Sequence, residues 1–218
     1  MFIGHWSAAF AAGAASKSAP RLGTLFLAAQ AVDWLFFAFV ILGIEHFRID
    51  PEASVLVPFD LYDMPITHSL LGTLCIALVY GAVVWIGMRE WTAALITALV
   101  VLSHWFLDLL VHPPDLTLFG HPPLLGLGLW NYPWAAIPLE LAVTFGAMRW
   151  YVKRSFGPPG PPIVLAVLLL GMQLFNWFAP PPERADFAFA LLALASFALA
   201  SLVAWWVGTT RRHRRAIH

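Results

Sequence analysis

The sequence predicts an all-α integral membrane protein, a bundle of about six transmembrane helices preceded by a short N-terminal helix. Two observations carry this reading. Of 218 residues, 61% are hydrophobic and 11% charged, against about 45–50% and about 25% in soluble domains. These apolar residues, with a mean hydropathy of +0.78, gather into runs near the ~20 residues a helix needs to cross a ~30 Å hydrocarbon core. The 11 Trp and 17 Phe exclude a disordered chain. A single cysteine, Cys75, set in an apolar run excludes a disulfide framework. A formal net charge of zero gives no general attraction to nucleic acid.

Six segments have the required length, and breakers or polar clusters bound each. Segment 23–44 follows Pro20-Arg21 and stops at the acidic loop 45–65. Segments 66–88 and 91–112 are divided by Arg89-Glu90, and loop 113–131 follows the second of them. Segment 132–152 runs into KRSFGPPGPP, segment 162–179 ends at PPPERAD, and segment 187–207 ends near the basic RRHRR tail. Residues 1–16 are apolar but shorter, and they lack the positive first region of a signal peptide, so they are read as part of the mature chain. The whole of 1–218 reads as one transmembrane domain with no internal repeat.

Placing alternate loops on opposite sides sorts the basic residues unevenly. Lys17, Arg21, Arg89, Arg149, Lys153, Arg154, Arg211, Arg212, Arg214 and Arg215 share one side, and only Arg48 and Arg184 take the other. The positive-inside rule then makes both termini cytoplasmic and turns loops 45–65, 113–131 and 180–186 outward. By the same rule the basic tail is a stop after the last span, and Trp91, Trp130, Trp134 and Trp150 are interface anchors.

Chemistry is carried by the polar residues left inside apolar runs, because each costs a few kcal/mol at bilayer depth unless it is paired or functional. These are His5, Asp33, His68, His104, Asp108, His112 and Glu140, with Gln30 and Gln173. In SHWFLDLLVH, His104, Asp108 and His112 recur at i, i+4 and i+8, on one helix face and about 6 Å apart per rung. Imidazole and carboxylate are ligands that suit zinc, manganese or iron. Counted from the cytoplasmic ends at about 1.5 Å per residue, Asp33, His104, Glu140 and Gln173 fall near one level. His5 joins them if residues 2–16 fold back as a helix beside the first span. His68, Asp108 and His112 lie further out, toward Asp60 and Asp63, in what reads as a polar cavity open to the outer side. His5, Asp33, His68, His104 and Asp108 are the expected metal ligands for one or two divalent ions, zinc foremost. Glu140 reads equally as a general base, a partner of a ligating histidine or a helix contact. Gln173 and Asn176 read as interhelical hydrogen-bonding groups, and His46 and His121 as solvated loop residues. The sequence has no HExxH, GxSxG or phosphate-binding glycine loop.

The order of these residues resembles the bacterial family of membrane-bound metal-dependent hydrolases, inner-membrane proteins distantly similar to zinc-dependent phospholipase C and P1 nuclease. The resemblance rests on four features within residues 1–115: His5 before a small-residue helix, Asp33 in the next helix, Thr67-His68-Ser69 opening a later one, and Ser103-His104 with Asp108 four residues on. The family's acidic pair beside a proline is AVDW here, and Asp63 and Pro65 stand where it carries an arginine. The resemblance implies an all-α fold, a metal centre of His5, Asp33, His68, His104 and Asp108, hydrolysis of a phosphoester and residence in a bacterial inner membrane. Residues 116–218 add further spans outside it.

The leading expectation is therefore hydrolysis of a phosphoester in a lipid or lipid-linked substrate from the outer side, with Asp108, Asp63 or Glu140 taking the proton from water. A transporter or proton- or metal-conducting protein using the same layer is the alternative, although the sequence shows neither the inverted repeat nor the paired broken helices expected of one. A structural membrane protein is the third reading.

Overall fold

A computed structural model describes residues 1–180 and 182–213. A 3-10 turn at Ile3–His5 leads into α1 (Trp6–Ala15), followed by α2 (Leu22–Ala29) and α3 (Ala31–Leu42). A hairpin of β1 (His46–Ile49) and β2 (Phe59–Asp63) precedes α4 (Leu70–Met88) and α5 (Trp91–Val111). After a second 3-10 turn at Leu129–Asn131 come α6 (Pro133–Arg154), β3 (Ser155–Phe156), α7 (Gly160–Phe178), α8 (Phe187–Thr210) and β4 (Arg212–His213).

Local chemistry sets several of these limits. Gly43 ends α3 in the left-handed conformation with φ 67°, where a Cβ would be strained. Ser69 caps α4, its hydroxyl accepting from the Gly72 amide at 3.0 Å. Gly72 is required in that turn, because a Cβ there would overlap the Ile66 carbonyl oxygen. Glu90 caps α5 by accepting from the Thr92 and Ala93 amides, and Asp186 caps α8 through the Phe189 amide.

α4, α5, α7 and α8 are long and apolar enough to cross a membrane. α2 and α3 pass the same test as a pair, bent by 52° about Gln30, so the described spans number four, or five if this pair is one span. The expected sixth, α6, has the length, but Glu140, Arg149, Lys153, Arg154 and its two prolines dilute its apolar character. The expectation of an unbroken first span is thus corrected, and a broken helix that the sequence did not disclose stands beside Asp33.

The helices form one bundle, with two small antiparallel ribbons that the all-α expectation did not include. β1 and β2 carry cross-strand side-chain pairs, the Arg48–Asp60 ion pair at 2.6 Å and a His46–Asp63 hydrogen bond at 2.7 Å. α1 lies inside the bundle against α6 and α2, with Trp6, Ala9, Phe10 and Ala14 buried and Trp6 donating to the Phe26 carbonyl at 3.2 Å. α2 packs in turn on α8 and α5, and α7 on α8. The apolar faces of α4, α7 and α8 remain exposed at residues such as Leu78, Val83, Val167 and Leu202. In water such faces would associate, and in a bilayer they are solvated.

The second ribbon, β3 with β4, closes the far end of the bundle. Beside it, Arg211 is buried to 8% exposure rather than serving only as part of a basic stop. Its Nε donates to Ser155 Oγ at 2.9 Å, Nη1 to the Gly157 and Pro158 carbonyls, and Nη2 to those of Val152 and Ser155. All five guanidinium N–H groups are thereby engaged, two of the acceptors being backbone carbonyls at the C-terminus of α6 (Val152 and Ser155). Arg214 and Arg215, counted above among the cytoplasmic cations, lie outside the described residues. Among the four expected interface tryptophans, Trp91, Trp134 and Trp150 are exposed, whereas Trp130 is buried at 7%.

Arg211→Ala is expected to lower unfolding stability in detergent by about 2–3 kcal/mol, the loss of charged hydrogen bonds to buried carbonyls. Thermal unfolding followed by circular dichroism measures this, and Arg211→Lys should recover only part of the loss, since an ammonium has three donors.

Candidate metal centre

The site is built on one face of α5. His104 and Asp108, four residues apart, both point inward, and His112 caps the helix one turn on. Asp108, 1% exposed, is the hub. Its Oδ1 lies 3.1 Å from His5 Nε2 and 3.4 Å from His112 Nε2, and its Oδ2 lies 3.1 Å from His104 Nε2. Asp33 from α3 joins from the opposite side, its Oδ1 at 3.4 Å from both His104 Nε2 and His68 Nε2. The five expected ligands, His5, Asp33, His68, His104 and Asp108, are thus brought together from four parts of the chain.

Each strand of support traces to a local feature of the fold. The break at Gln30 makes Ala29 the last residue of α2, where carbonyls lack intrahelical partners, and His104 Nδ1–H donates to the Ala29 carbonyl at 2.9 Å. The Gln30 side chain, fully buried, donates to Asp33 Oδ2 at 3.3 Å. His68 is set by Glu45. This carboxylate, fully buried, accepts from the Ile66 amide at 2.8 Å, the Thr67 amide at 2.9 Å and the Thr67 hydroxyl at 2.6 Å. Because the Thr67 proton is given to Glu45, the 2.9 Å contact of Thr67 Oγ1 with His68 Nδ1 has the imidazole as donor. His112 Nδ1–H donates likewise to Asp115 Oδ1 at 2.9 Å. Three histidines therefore carry their proton on Nδ1 and turn Nε2 toward the carboxylates, the arrangement in which second partners orient metal-ligating imidazoles.

His5 is delivered by the N-terminal segment. Glu140 Oε1 accepts from the Phe2 amide at 2.7 Å and the Gly4 amide at 3.0 Å, while Gln173 Oε1 accepts from the Ile3 amide at 3.2 Å. The His5 ring then stacks on His104, with centroids 3.6 Å apart and planes 2° from parallel. The Met1 amine lies in the same cluster and donates to Asp108 Oδ1 at 2.6 Å.

These groups can hold a metal ion. The ligand atoms of His5, His104 and Asp108 lie within 4.8 Å of one another, as do those of Asp33, His68 and His104. Nitrogen and oxygen ligands about 2.0–2.1 Å from a tetrahedral ion are about 3.3 Å apart, and the histidine–carboxylate distances within the two triads are 3.1–3.4 Å. His5 Nε2, His104 Nε2 and Asp108 Oδ2 are buried without a hydrogen-bond partner among the described residues, a condition that bound ions commonly relieve. His104 belongs to both triads but has only Nε2 free, so it can ligate one ion, and a second would rest on the remaining groups of the donor set.

Two expected residues stand elsewhere or act differently. Asp63 is not part of the cluster: it pairs with His46 on the half-exposed hairpin. Glu140 keeps its carboxylate at the cavity, but Oε1 holds the N-terminal segment, and Oε2 has only a 3.4 Å contact from Gln173. Gln173 bridges α7 to that segment, as the interhelical reading anticipated. Sequence reasoning did not find Glu45, Asp115 or Trp130, whose ring rests 4.2 Å from that of His112. Asp115 had a local signal, three residues after His112. Glu45 had none, standing in an acidic loop with Asp50 and Glu52.

A cavity of about 670 Å³ opens beside the cluster, with Asp33, His68, Asp108, His112 and Glu140 on its polar floor. No lysine or arginine among the described residues lines it. Comparison with family models, curated proteins and solved structures finds no match to this chain.

Thr67→Val and Glu45→Gln should each weaken metal affinity by about 10–100-fold by releasing His68 from its set orientation. Competition with a chromogenic chelator measures the change, and wild-type affinity in both variants would show that the Glu45–Thr67 support does not act on the centre.

Proposed function

We propose that this protein is a metal-dependent hydrolase of a bacterial inner membrane, cleaving a phosphoester of a lipid or lipid-linked substrate. The observation that carries the reading is the buried convergence of His5, Asp33, His68, His104 and Asp108, with Nδ1 of His68 and His104 already engaged and the facing Nε2 atoms turned inward. Zinc is the favoured ion on ligand type. When bound there, such an ion supplies Lewis-acid chemistry, acidifying water near neutral pH and polarising a phosphoryl oxygen.

The chain's own groups supply the rest. No lysine or arginine among the described residues stands at the cavity to meet negative charge on a substrate, which supports two ions over one. Of the carboxylates able to take the proton from water, Asp63 is on the hairpin and Asp108 sits within the ligand set. Glu140 remains, its Oε2 outside the ligand set and held only by a 3.4 Å contact from Gln173, and we assign it the general base. Apolar walls around the floor suit a substrate delivered from the membrane.

His104→Ala and Asp108→Ala should each reduce bound transition metal, read by elemental analysis of detergent-purified protein whose fold is checked by circular dichroism. Unchanged stoichiometry in both variants would remove the metal centre. Glu140→Gln, which preserves the bonds to Phe2 and Gly4, should retain metal and lower hydrolysis of phospholipid or bis(p-nitrophenyl) phosphate by about 10²–10⁴-fold.

One observation favours the second reading, transport or conduction: the 52° break at Gln30 places a discontinuous helix beside Asp33, as in transporters. Metal or proton uptake into sealed vesicles, with no hydrolysis, would select it. The positive-inside argument supports outward-facing loops 45–65 and 113–131. In a Cys75→Ser background, Phe119→Cys should react with an impermeant maleimide on intact cells, and labelling only after permeabilisation would reverse the orientation.

A further inference from the structure

The cavity at the candidate metal centre is much larger than a phosphate group requires, and most of it is not polar. Its volume of about 670 Å³ lies near the middle of the ~300–1,000 Å³ range of small-molecule sites. Beyond the floor, Phe36, Phe37, Phe47, Phe59, Phe189 and Phe197 line a chamber. Their rings interlock by edge and tilted contacts, Phe47–Phe59 at 5.6 Å and Phe59–Phe189 at 5.5 Å among them, so the wall is preformed.

The outer side of the chamber is the seam between α7 and α8. On α8 the lining positions are Phe189, Leu192, Ala193, Ser196 and Phe197, at i, i+3, i+4, i+7 and i+8, one face of the helix. Along this seam, lining side chains also reach the protein surface, Phe175 at 66% exposure and Leu192 at 52%. The seam is therefore one side chain deep, and it lies in helices apolar enough to sit in hydrocarbon. At Gly171, also in the lining, no atom would meet an added Cβ. A water-borne anionic ligand would find no lysine or arginine among the described lining residues, whereas an alkyl chain leaving the bilayer would find a largely apolar wall.

We infer that the chamber between α7, α8 and the β1–β2 hairpin binds one aliphatic chain of a membrane lipid, entering through the α7–α8 seam. The chain passes between two apolar media, so its transfer contributes little free energy. What the chamber contributes is orientation, holding the lipid so that its head reaches the floor formed by His68, Asp108 and Glu140. This gives the last two helices a role: they build the chain site, and α5 with the N-terminal segment builds the polar site. The inference rests on the hydrolase reading for what befalls the bound molecule, but chain binding itself needs neither metal nor turnover.

The test is photolabelling of the whole protein in phosphatidylethanolamine–phosphatidylglycerol vesicles doped with a phospholipid bearing a diazirine at the end of one acyl chain. Adducts are mapped by peptide mass spectrometry. We expect adducts on the peptides of Phe36–Phe37, Phe47 and Phe189–Phe197, beside those on lipid-facing residues such as Val79 and Val83. Gly171→Phe, introduced into open space, and Ala193→Phe should each lose the chamber adducts and keep those at Val79 and Val83, which report a folded, inserted protein. Chamber labelling should persist after metal is removed by chelator. Adducts confined to lipid-facing residues in the wild type would overturn the inference, as would chamber labelling undiminished in both filled variants. Hydrolysis retained with an unlabelled chamber would defeat the chain site alone. A labelled chamber in a protein without metal or hydrolysis would uphold the chain site and defeat the hydrolase.

Discussion

The rest of the structure depends on the burial of Asp108. A carboxylate 1% exposed in a membrane helix is tolerable only when surrounded by groups that balance it. Here those groups come from the turns on either side of it and from the N-terminal segment: His104 one turn before, His112 one turn after, and His5 with the Met1 amine. That requirement draws the segment into the bundle. Its backbone amides, once buried, need acceptors of their own, and Glu140 of α6 and Gln173 of α7 provide them. A single buried charge thus ties α5, α6, α7 and the N-terminal turn into one unit.

A second constraint acts on the histidines. An imidazole free to turn has no preferred nitrogen for a ligand, and its orientation is lost to entropy. His104 is held by the carbonyl at the end of α2, His68 by the Thr67–Glu45 pair, and His112 by Asp115. The kink at Gln30, costly in an uninterrupted span, therefore has a use: it presents the Ala29 carbonyl to His104 and brings Asp33 to the same centre. The hub and these supports together explain why so many polar groups persist in so apolar a chain.

Solvent accounts for the remaining architecture. Exposed Leu, Val and Phe on α4, α7 and α8 fit a lipid environment, and in lipid helices gain little by covering such faces. A seam between α7 and α8 can then stay thin without destabilising the bundle. The aromatic chamber behind it is closed at one end by the hairpin, whose cross-strand pairs hold Arg48, Asp60, His46 and Asp63 away from the floor.

Much of this was legible along the chain. The helix limits agree with the apolar runs within a few residues at nearly every end, because a run's length and its breakers are local properties. The His104–Asp108 rung was readable from its spacing, and His5, Asp33 and His68 from ligand type and depth. The bend at Gln30, the burial of Trp130 and Arg211, the part played by Glu45 and the exclusion of Asp63 were not. Each depends on a partner remote in sequence, and no local pattern distinguishes a loop carboxylate that turns inward, as Glu45 does, from one that pairs across a hairpin, as Asp63 does. By itself the sequence determined the membrane as solvent, the helical elements and the residue types at their buried faces, since hydrophobic runs and i, i+4 spacing act over a few ångströms of chain. Only the tertiary structure decided which of those residues meet and which carbonyl or carboxylate orients each histidine. It also decided that an apolar chamber adjoins them, because these follow from how helices pack and loops close over long separations.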